Sequence, residues 1–193
     1  MGIVSQLCLR MFGRPRGALG RLGGHIMARI NDDIAVWASG LLDVHPGETV
    51  LEIGFGSGVT IKRLVHRMLA VKICGIDDSP EMVAQAAARN ADAIKSGRVD
   101  LRRGSVERLP FRDNAFHKVL AINSMQVWPD IPENLREVRR VMKPGGTIAL
   151  AFTPYSGQAK DSLAALLQAA GFDKARILDG DKGFCAIAAT PWP

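Results

Sequence analysis

The residues with the clearest chemical potential lie in VLEIGFGSG, positions 50 to 58, where three glycines fall within five residues behind an apolar run that carries Glu52. Glycine lacks a Cβ, so such a loop can take left-handed backbone conformations and let a ligand touch bare peptide. The spacing discriminates between ligands. A dinucleotide site wants G-x-G-x-x-G, yet after Gly54 and Gly56 the third position holds Val59, while Gly58 arrives one residue early. No Gly-Lys-Ser/Thr follows, so the loop is not a P-loop. A second acid, Asp77 in GIDDSP, closes the next apolar run, where a carboxylate can accept both hydroxyls of a ribose. Together these residues describe a site for an adenosine-like ligand without a phosphate clamp.

Such residues need rigid elements behind them. Asn31, Asp32 and Asp33 offer caps for a helix carrying Ile34, Trp37, Ala38 and Leu41 at helical spacing, and the turn His45-Pro46-Gly47 follows. A strand is expected at 49–53, then a helix with Ile61, Leu64, Val65, Met68 and Leu69 on one face and Lys62, Arg63 and Arg67 on the other. A strand at 71–76 leads to Ser79-Pro80-Glu81, a cap, a first-turn proline and an acid at the positive end of a helix running to Asn90. Further strands are expected at 99–102, 116–122 and 147–152. A helix at 131–142 stops at Lys143-Pro144-Gly145-Gly146, and a helix at 161–170 precedes strands at 175–178 and 184–189. Strand and helix in alternation imply an α/β, Rossmann-like, doubly wound sheet with helices on both faces and ligands at the carboxyl ends of its strands.

Composition narrows the classes. At 193 residues with 47% hydrophobic and 23% charged, the chain suits one globular domain. Three cysteines, Cys8, Cys74 and Cys185, have neither disulfide-framework nor metal-ligand spacing, so no metal is expected and a cytoplasmic setting is the simplest. No stretch is apolar for the ~20 residues of a membrane span, and no signal-peptide cleavage site is evident. Gln6 stands where myristoylation wants Ser or Thr. Residues 1 to 31 hold five arginines and no acid, whereas the rest has 20 Lys and Arg against 19 acids. The expected division is therefore a basic, glycine-rich arm or lid at 1–30 and a nearly neutral domain at 31–193. The arm's arginines suit peripheral contact with an anionic membrane surface. They also resemble an organellar transit peptide, though serines are few. A nucleic-acid footprint would sit on the folded body instead, so nucleic acid is disfavoured.

In order and spacing, VLEIGFGSG, GIDDSPEM, GSVERLPF, FHKVLAINSMQVWPD and EVRRVMKPGGTIAL resemble the successive motifs of class I S-adenosylmethionine-dependent methyltransferases, closest to the branch of ubiquinone and menaquinone biosynthesis. The resemblance implies a seven-stranded sheet, mostly parallel with the last strand antiparallel, and S-adenosyl-L-methionine as cofactor. It places Gly54, Phe55 and Gly56, within the loop that Gly58 completes, against the methionine part, and Glu52 at its amino end. Asp77 takes the ribose, Asp78 and Met82 flank the adenine, Ser105 and Val106 meet its edge, and Asn123 approaches the methionyl group. The sequence departs from the family at Ser105, where relatives usually carry Asp, so that Glu107 or a backbone carbonyl could serve instead, and at Asp78, commonly apolar.

The same residues have plainer readings. Glu52 could cap a helix, Asp77 could be a helix-start acid, and Trp128 could line the pocket or pack under a loop. Cys74 and Cys185 read as core, and His45, His66 and His117 as surface or edge positions. No general base stands out. His25 is the one lead, and no base is required, since alignment of donor and acceptor can supply about 7 to 11 kcal/mol. Position 123 opens Asn-Ser-Met-Gln rather than the Asn/Asp-Pro-Pro-aromatic that grips a flipped base. Met125, Val127 and Trp128 near the mouth, with His25 and Met27 in the arm, favour a small, apolar or aromatic acceptor. The rival readings are a cofactor-binding regulator or partner without activity, and a methyltransferase of protein or nucleic acid. The accepting atom and the oligomeric state are left open.

Overall fold

The computed structural model describes residues 32–67 and 71–193. Its centre is a seven-stranded sheet in the order β3-β2-β1-β4-β5-β7-β6. The strands are β1 (Thr49–Ile53), β2 (Lys72–Asp77), β3 (Val99–Arg103), β4 (Phe116–Ile122), β5 (Met142–Phe152), β6 (Asp173–Gly180) and β7 (Gly183–Ala189). Pairing is parallel from β3 through β5, and β7 runs antiparallel to both β5 and β6. This is the expected α/β, doubly wound sheet with its last strand reversed. The interior strands are nearly continuous runs of Val, Ile, Leu and Ala because both faces are covered.

The helices are α1 (Asp32–Leu41), α2 (Val59–Arg67), α3 (Pro80–Arg89), α4 (Ala91–Lys95), α5 (Ile131–Val141) and α6 (Leu163–Ala169). Alternate residues along each strand divide the core. Leu120, Ile122, Ala149 and Ala151 meet Ile34, Ala35 and Ala38 of α1, while Val50 and Ile73 meet Ile61 and Leu64 of α2 and Ala86 of α3. On the other face Leu51, Val119, Ile148 and Leu150 pack with Leu135 and Val138 of α5 and Leu163 and Leu167 of α6. α3 starts as its sequence dictates: the Ser79 hydroxyl accepts from the Met82 amide at 3.3 Å, Pro80 opens the first turn, and Glu81 lies in it.

One expectation needs correction, and one helix, α4, is additional to those expected. Lys143-Pro144-Gly145-Gly146 does not separate helix from strand. β5 begins at Met142, opposite Phe116, and the ladder jumps to Lys118 opposite Thr147, so these four residues form an irregularity within the strand. The C-terminal segment holds them there: Gly145 N–H donates to the Thr190 carbonyl at 3.1 Å, and Gly146 N–H to the Thr190 hydroxyl at 2.8 Å. The helix expected to end at Asn90 is followed at once by α4. The Asn90 side chain ties α3 to the start of α2, donating to the Gly58 carbonyl at 3.1 Å and the Ala86 carbonyl at 2.9 Å.

β1 lies between β2 and β4, so the direction of winding reverses between β1 and β4. The crevice outside the carboxyl ends of these strands is where an open α/β sheet binds ligands. Residues 54–58 leave β1 at that crevice, residues 77–79 leave β2, and Asn123 and Ser124 leave β4. Among the described residues no helix is long and apolar enough to cross a membrane.

Candidate functional site

The glycine loop is held from two sides. Gly54 adopts φ +73°, and a Cβ there would come within 2.3 Å of the Ser124 hydroxyl oxygen. The turn thus closes only if position 54 has no side chain. Gly56 adopts φ +53°, but a Cβ there would meet nothing within 4 Å, so its face is bare and open. Its N–H points the other way and donates to Asp77 Oδ2 at 2.9 Å, while Ser79 N–H donates to Asp77 Oδ1 at 3.0 Å. One carboxylate therefore ties the β1–α2 loop to the β2–α3 turn, and each of its oxygens retains a second lone pair. Burial pushes the Asp77 carboxyl up, and the Ser79 and Gly56 amides hold it down.

Glu52 lies beneath the loop, 2% exposed. Burial raises its carboxyl to about 8, the Thr60 hydroxyl opposes the shift by hydrogen bonding, and the charge of Asp77 adds to it. Its Oε2 has no hydrogen-bond partner among the described residues. An orphaned buried carboxyl oxygen is costly unless something pairs with it. A cationic group of a ligand lying on the bare face of the loop would supply that pairing.

Around this centre the remaining candidates take distinct places. The Phe55 ring is buried with Val50, Ile61 and Ala86, and a Cβ on Gly75 would strike it at 2.6 Å, so only the Phe55 backbone can face a ligand. Gly58 starts α2, its carbonyl accepting from Lys62 N–H at 3.1 Å. Asp78 is exposed, and its carbonyl accepts from Arg103 Nε at 3.2 Å. Met82 and Val106 are buried. The Ser105 hydroxyl donates to Glu107 Oε2 at 2.9 Å and accepts from Glu107 N–H at 3.2 Å, so a carboxylate is fixed beside Ser105. Asn123 sits at φ +46°, with its amide group spent on Thr153: Oδ1 accepts from Thr153 N–H at 2.9 Å and Nδ2 donates to Oγ1 at 3.1 Å. It joins the ends of β4 and β5.

The acceptor candidates Met125 and Trp128 need correction. Met125 is 0% exposed and Trp128 7%, both in the large core cluster with Val106, Leu109 and Leu135. The Trp128 indole N–H donates to the Ser124 hydroxyl at 3.1 Å. The single 3₁₀ turn Met125–Val127 points these two side chains inward and leaves Val127 facing out. His25 and Met27 lie outside the described residues. Cys74 and Cys185 are core thiols, raised by burial to about 11 and 12. His117 accepts from Thr49 N–H at 3.0 Å at the start of β4, the edge opposite the site. No group of three or more His, Cys, Asp or Glu with metal-binding geometry occurs among the described residues. Sequence reasoning did not find Thr60, Ser124 or Thr153, whose roles arise from contacts between distant elements.

The fold defines a class: a Rossmann-like domain whose glycine loop and Asp77 lie at the edge where such sheets bind ligands. The family model described as Methyltransferase domain matches residues 51–150, just over half the chain. The uncharacterized methyltransferase YdaC of Bacillus subtilis (strain 168) is 30% identical over 182 residues, covering 88% of this chain and 98% of that protein. The ubiquinone/menaquinone biosynthesis C-methyltransferase UbiE of Geotalea daltonii is 29% identical over 106 residues, 54% of this chain and 45% of that enzyme. A crystal structure of a SAM-dependent methyltransferase from Aquifex aeolicus superposes with TM-score 0.72 at 21% identity, over 80% of this chain and 88% of that one. The chain belongs to the methyltransferase-domain family and is a class I enzyme that uses S-adenosyl-L-methionine.

Proposed function

We propose that this enzyme methylates a small, apolar or aromatic acceptor bound at the carboxyl edge of β4 and β5. The observation that carries this reading is the position of its exposed apolar side chains. Among the described residues the exposed large hydrophobics are Val127 (41%), Tyr155 (88%) and Trp192. Val127 follows β4 and Tyr155 follows β5, next to the Asn123–Thr153 link, whereas Trp192 follows β7, which ends at the opposite edge. Exposed apolar groups cost free energy in water, and a concave apolar site beside a few polar groups is what a small organic ligand requires. The similarity to UbiE, named for quinone biosynthesis, supports the same acceptor class.

When bound, the cofactor supplies an electrophilic methyl on a sulfonium. The chain's part is binding and alignment. The bare Gly54–Gly56 backbone would carry the methionyl portion, the Asp77 carboxylate would accept from the ribose hydroxyls through its free lone pairs, and Glu52 would ionise against the ammonium. Glu107, held by Ser105, would stand at the adenine edge with Asp78 and Met82. Positioning alone can supply about 7 to 11 kcal/mol, enough for an acceptor that is already nucleophilic. In this reading His25 and Met27, outside the described residues, would contribute to binding the acceptor.

The test is to incubate the purified full-length protein and methyl-labelled cofactor with a cell extract and to fractionate the label. Label in organic-soluble small molecules is the expected result. Label in acid-precipitable protein or nucleic acid would replace this reading with a macromolecular one.

A further inference from the structure

A second feature of the surface has no part in holding the cofactor or acceptor. Between α2 and α3 lies a cleft of about 350 Å³ lined by Val59, Lys62, Arg63, His66, Arg67 and Arg89. The cations are consecutive turns of the outer face of α2, whose inner face is Ile61, Leu64 and Val65. Arg89, at the end of α3, donates to the Ser57 carbonyl and so fixes its guanidinium at the cleft's upper end. Among the described residues no carboxylate lines the cleft, and the chain has no Asp or Glu between Glu52 and Asp77. Lys62, His66 and Arg67 are exposed to solvent. Like charges gathered on one short helix repel each other, an arrangement that an opposing negative surface relieves.

We propose that this cleft is a docking surface for an anionic phospholipid membrane. Charge complementarity carries the argument, and three details favour lipid over nucleic acid. Among the described residues the lining has no Phe, Tyr or Trp on which bases could stack. The positive charge is a compact patch, four basic residues on the nine-residue α2 and Arg89 at the end of α3, rather than a track along the body, whose charge beyond residue 31 is nearly balanced. Lys and Arg stems can lie along an interface with their charged ends among headgroups. The geometry also links docking to catalysis: Val59, at one end of the cleft, directly follows Gly58 of the cofactor loop. Five further arginines stand in residues 1 to 31. The choice of lipid rests on the apolar-acceptor reading, but the test below uses no acceptor, so the two can fail separately.

The experiment is flotation of the full-length protein with vesicles of neutral phosphatidylcholine alone or with about a third phosphatidylglycerol. Each Lys or Arg near an anionic surface contributes about fivefold in partitioning. Wild type should bind the anionic vesicles and release at high salt. The double variant Lys62→Glu, Arg67→Glu should bind at least tenfold more weakly, and Lys62→Gln, Arg67→Gln should fall between, both with unchanged cofactor affinity and melting temperature. Equal binding to neutral and anionic vesicles, unchanged binding by the charge-reversed variant, or preferential capture of RNA that the same substitutions abolish would overturn the proposal.

Discussion

The Asp77 carboxylate accepts from the Gly56 amide at 2.9 Å and from the Ser79 amide at 3.0 Å, so a single side chain fixes both the glycine loop and the start of α3. Removing it has two effects at once. Asp77→Ala should weaken S-adenosylmethionine binding by about 2 to 4 kcal/mol, because hydrogen bonds to a charged group contribute about 1.5 to 3 kcal/mol each. Leaving the two amides without their acceptor should also lower stability by about 1 to 3 kcal/mol. Calorimetry and denaturant unfolding measure the two separately; unchanged cofactor affinity in the folded variant would remove Asp77 from the site.

With Glu52 at the cofactor's ammonium, as proposed, cofactor binding should depend on pH. Its folded carboxyl lies at about 8, so near neutrality the cofactor-free protein holds a proton there that a neighbouring ammonium would expel. Affinity should rise with pH from about 6 to 8 and then level, with up to about one proton released per cofactor bound near pH 7. Titrations in buffers of different ionisation enthalpy read that proton, and Glu52→Gln should abolish the release. Without cofactor the sign reverses. A pKa raised above the unfolded value gives stability that is complete below about 4.5 and is lost as pH rises through about 8. The loss should approach about 1.4 kcal/mol per pH unit in that window and vanish in Glu52→Gln.

Gly54 and Gly56 should separate stability from binding. Gly54→Ala places a methyl 2.3 Å from the Ser124 oxygen, which is itself engaged with Trp128, and should cost about 2 to 4 kcal/mol of stability through strain and overpacking. Gly56→Ala meets no protein atom and should cost only about 1 kcal/mol for its left-handed backbone. The methyl it adds occupies the bare face, so cofactor binding should fall at least tenfold. Equal effects of the two substitutions on melting temperature and on cofactor affinity would contradict this division.

Tyr155 separates acceptor from cofactor. With the methylated compound identified, Tyr155→Ala should lower kcat/KM for it at least fivefold, about 1 kcal/mol, while leaving cofactor affinity unchanged. An unaltered kcat/KM would move the acceptor away from the end of β5.

Much of this was legible in the sequence because it is local. The glycine spacing, the acid closing β2, and the Ser79-Pro80-Glu81 helix start each declare themselves within a few residues, and the structure places them on one edge as alternation of strand and helix requires. What escaped depends on contacts between distant segments. Nothing near Gly54 announces Ser124, and nothing near Glu52 distinguishes Thr60 from any other helix-start threonine. Lys143–Gly146 has the composition of a stop, yet hydrogen bonds from Thr190 keep it in the sheet. Met125 and Trp128 illustrate a different ambiguity: apolar residues after a strand can serve a pocket or a core, and the 3₁₀ turn that decides between them leaves only Val127 outside. At Ser105 the family's acid is missing, and the nearby Glu107 carboxylate that the hydroxyl fixes is a conformational fact. Ser105→Asp would set two carboxylates side by side, and their repulsion opposes any gain from a stronger acceptor there.

The central claim is that the Gly54–Gly56 loop and Asp77 together form the S-adenosylmethionine site. The most direct measurement is calorimetric titration of S-adenosylmethionine into the wild type, Gly56→Ala and Asp77→Ala, with NAD as competitor. The account predicts saturable one-site binding to the wild type, at least tenfold weaker binding to both folded variants, and no displacement by NAD. Wild-type affinity in both variants, or displacement of the cofactor by NAD, would contradict it.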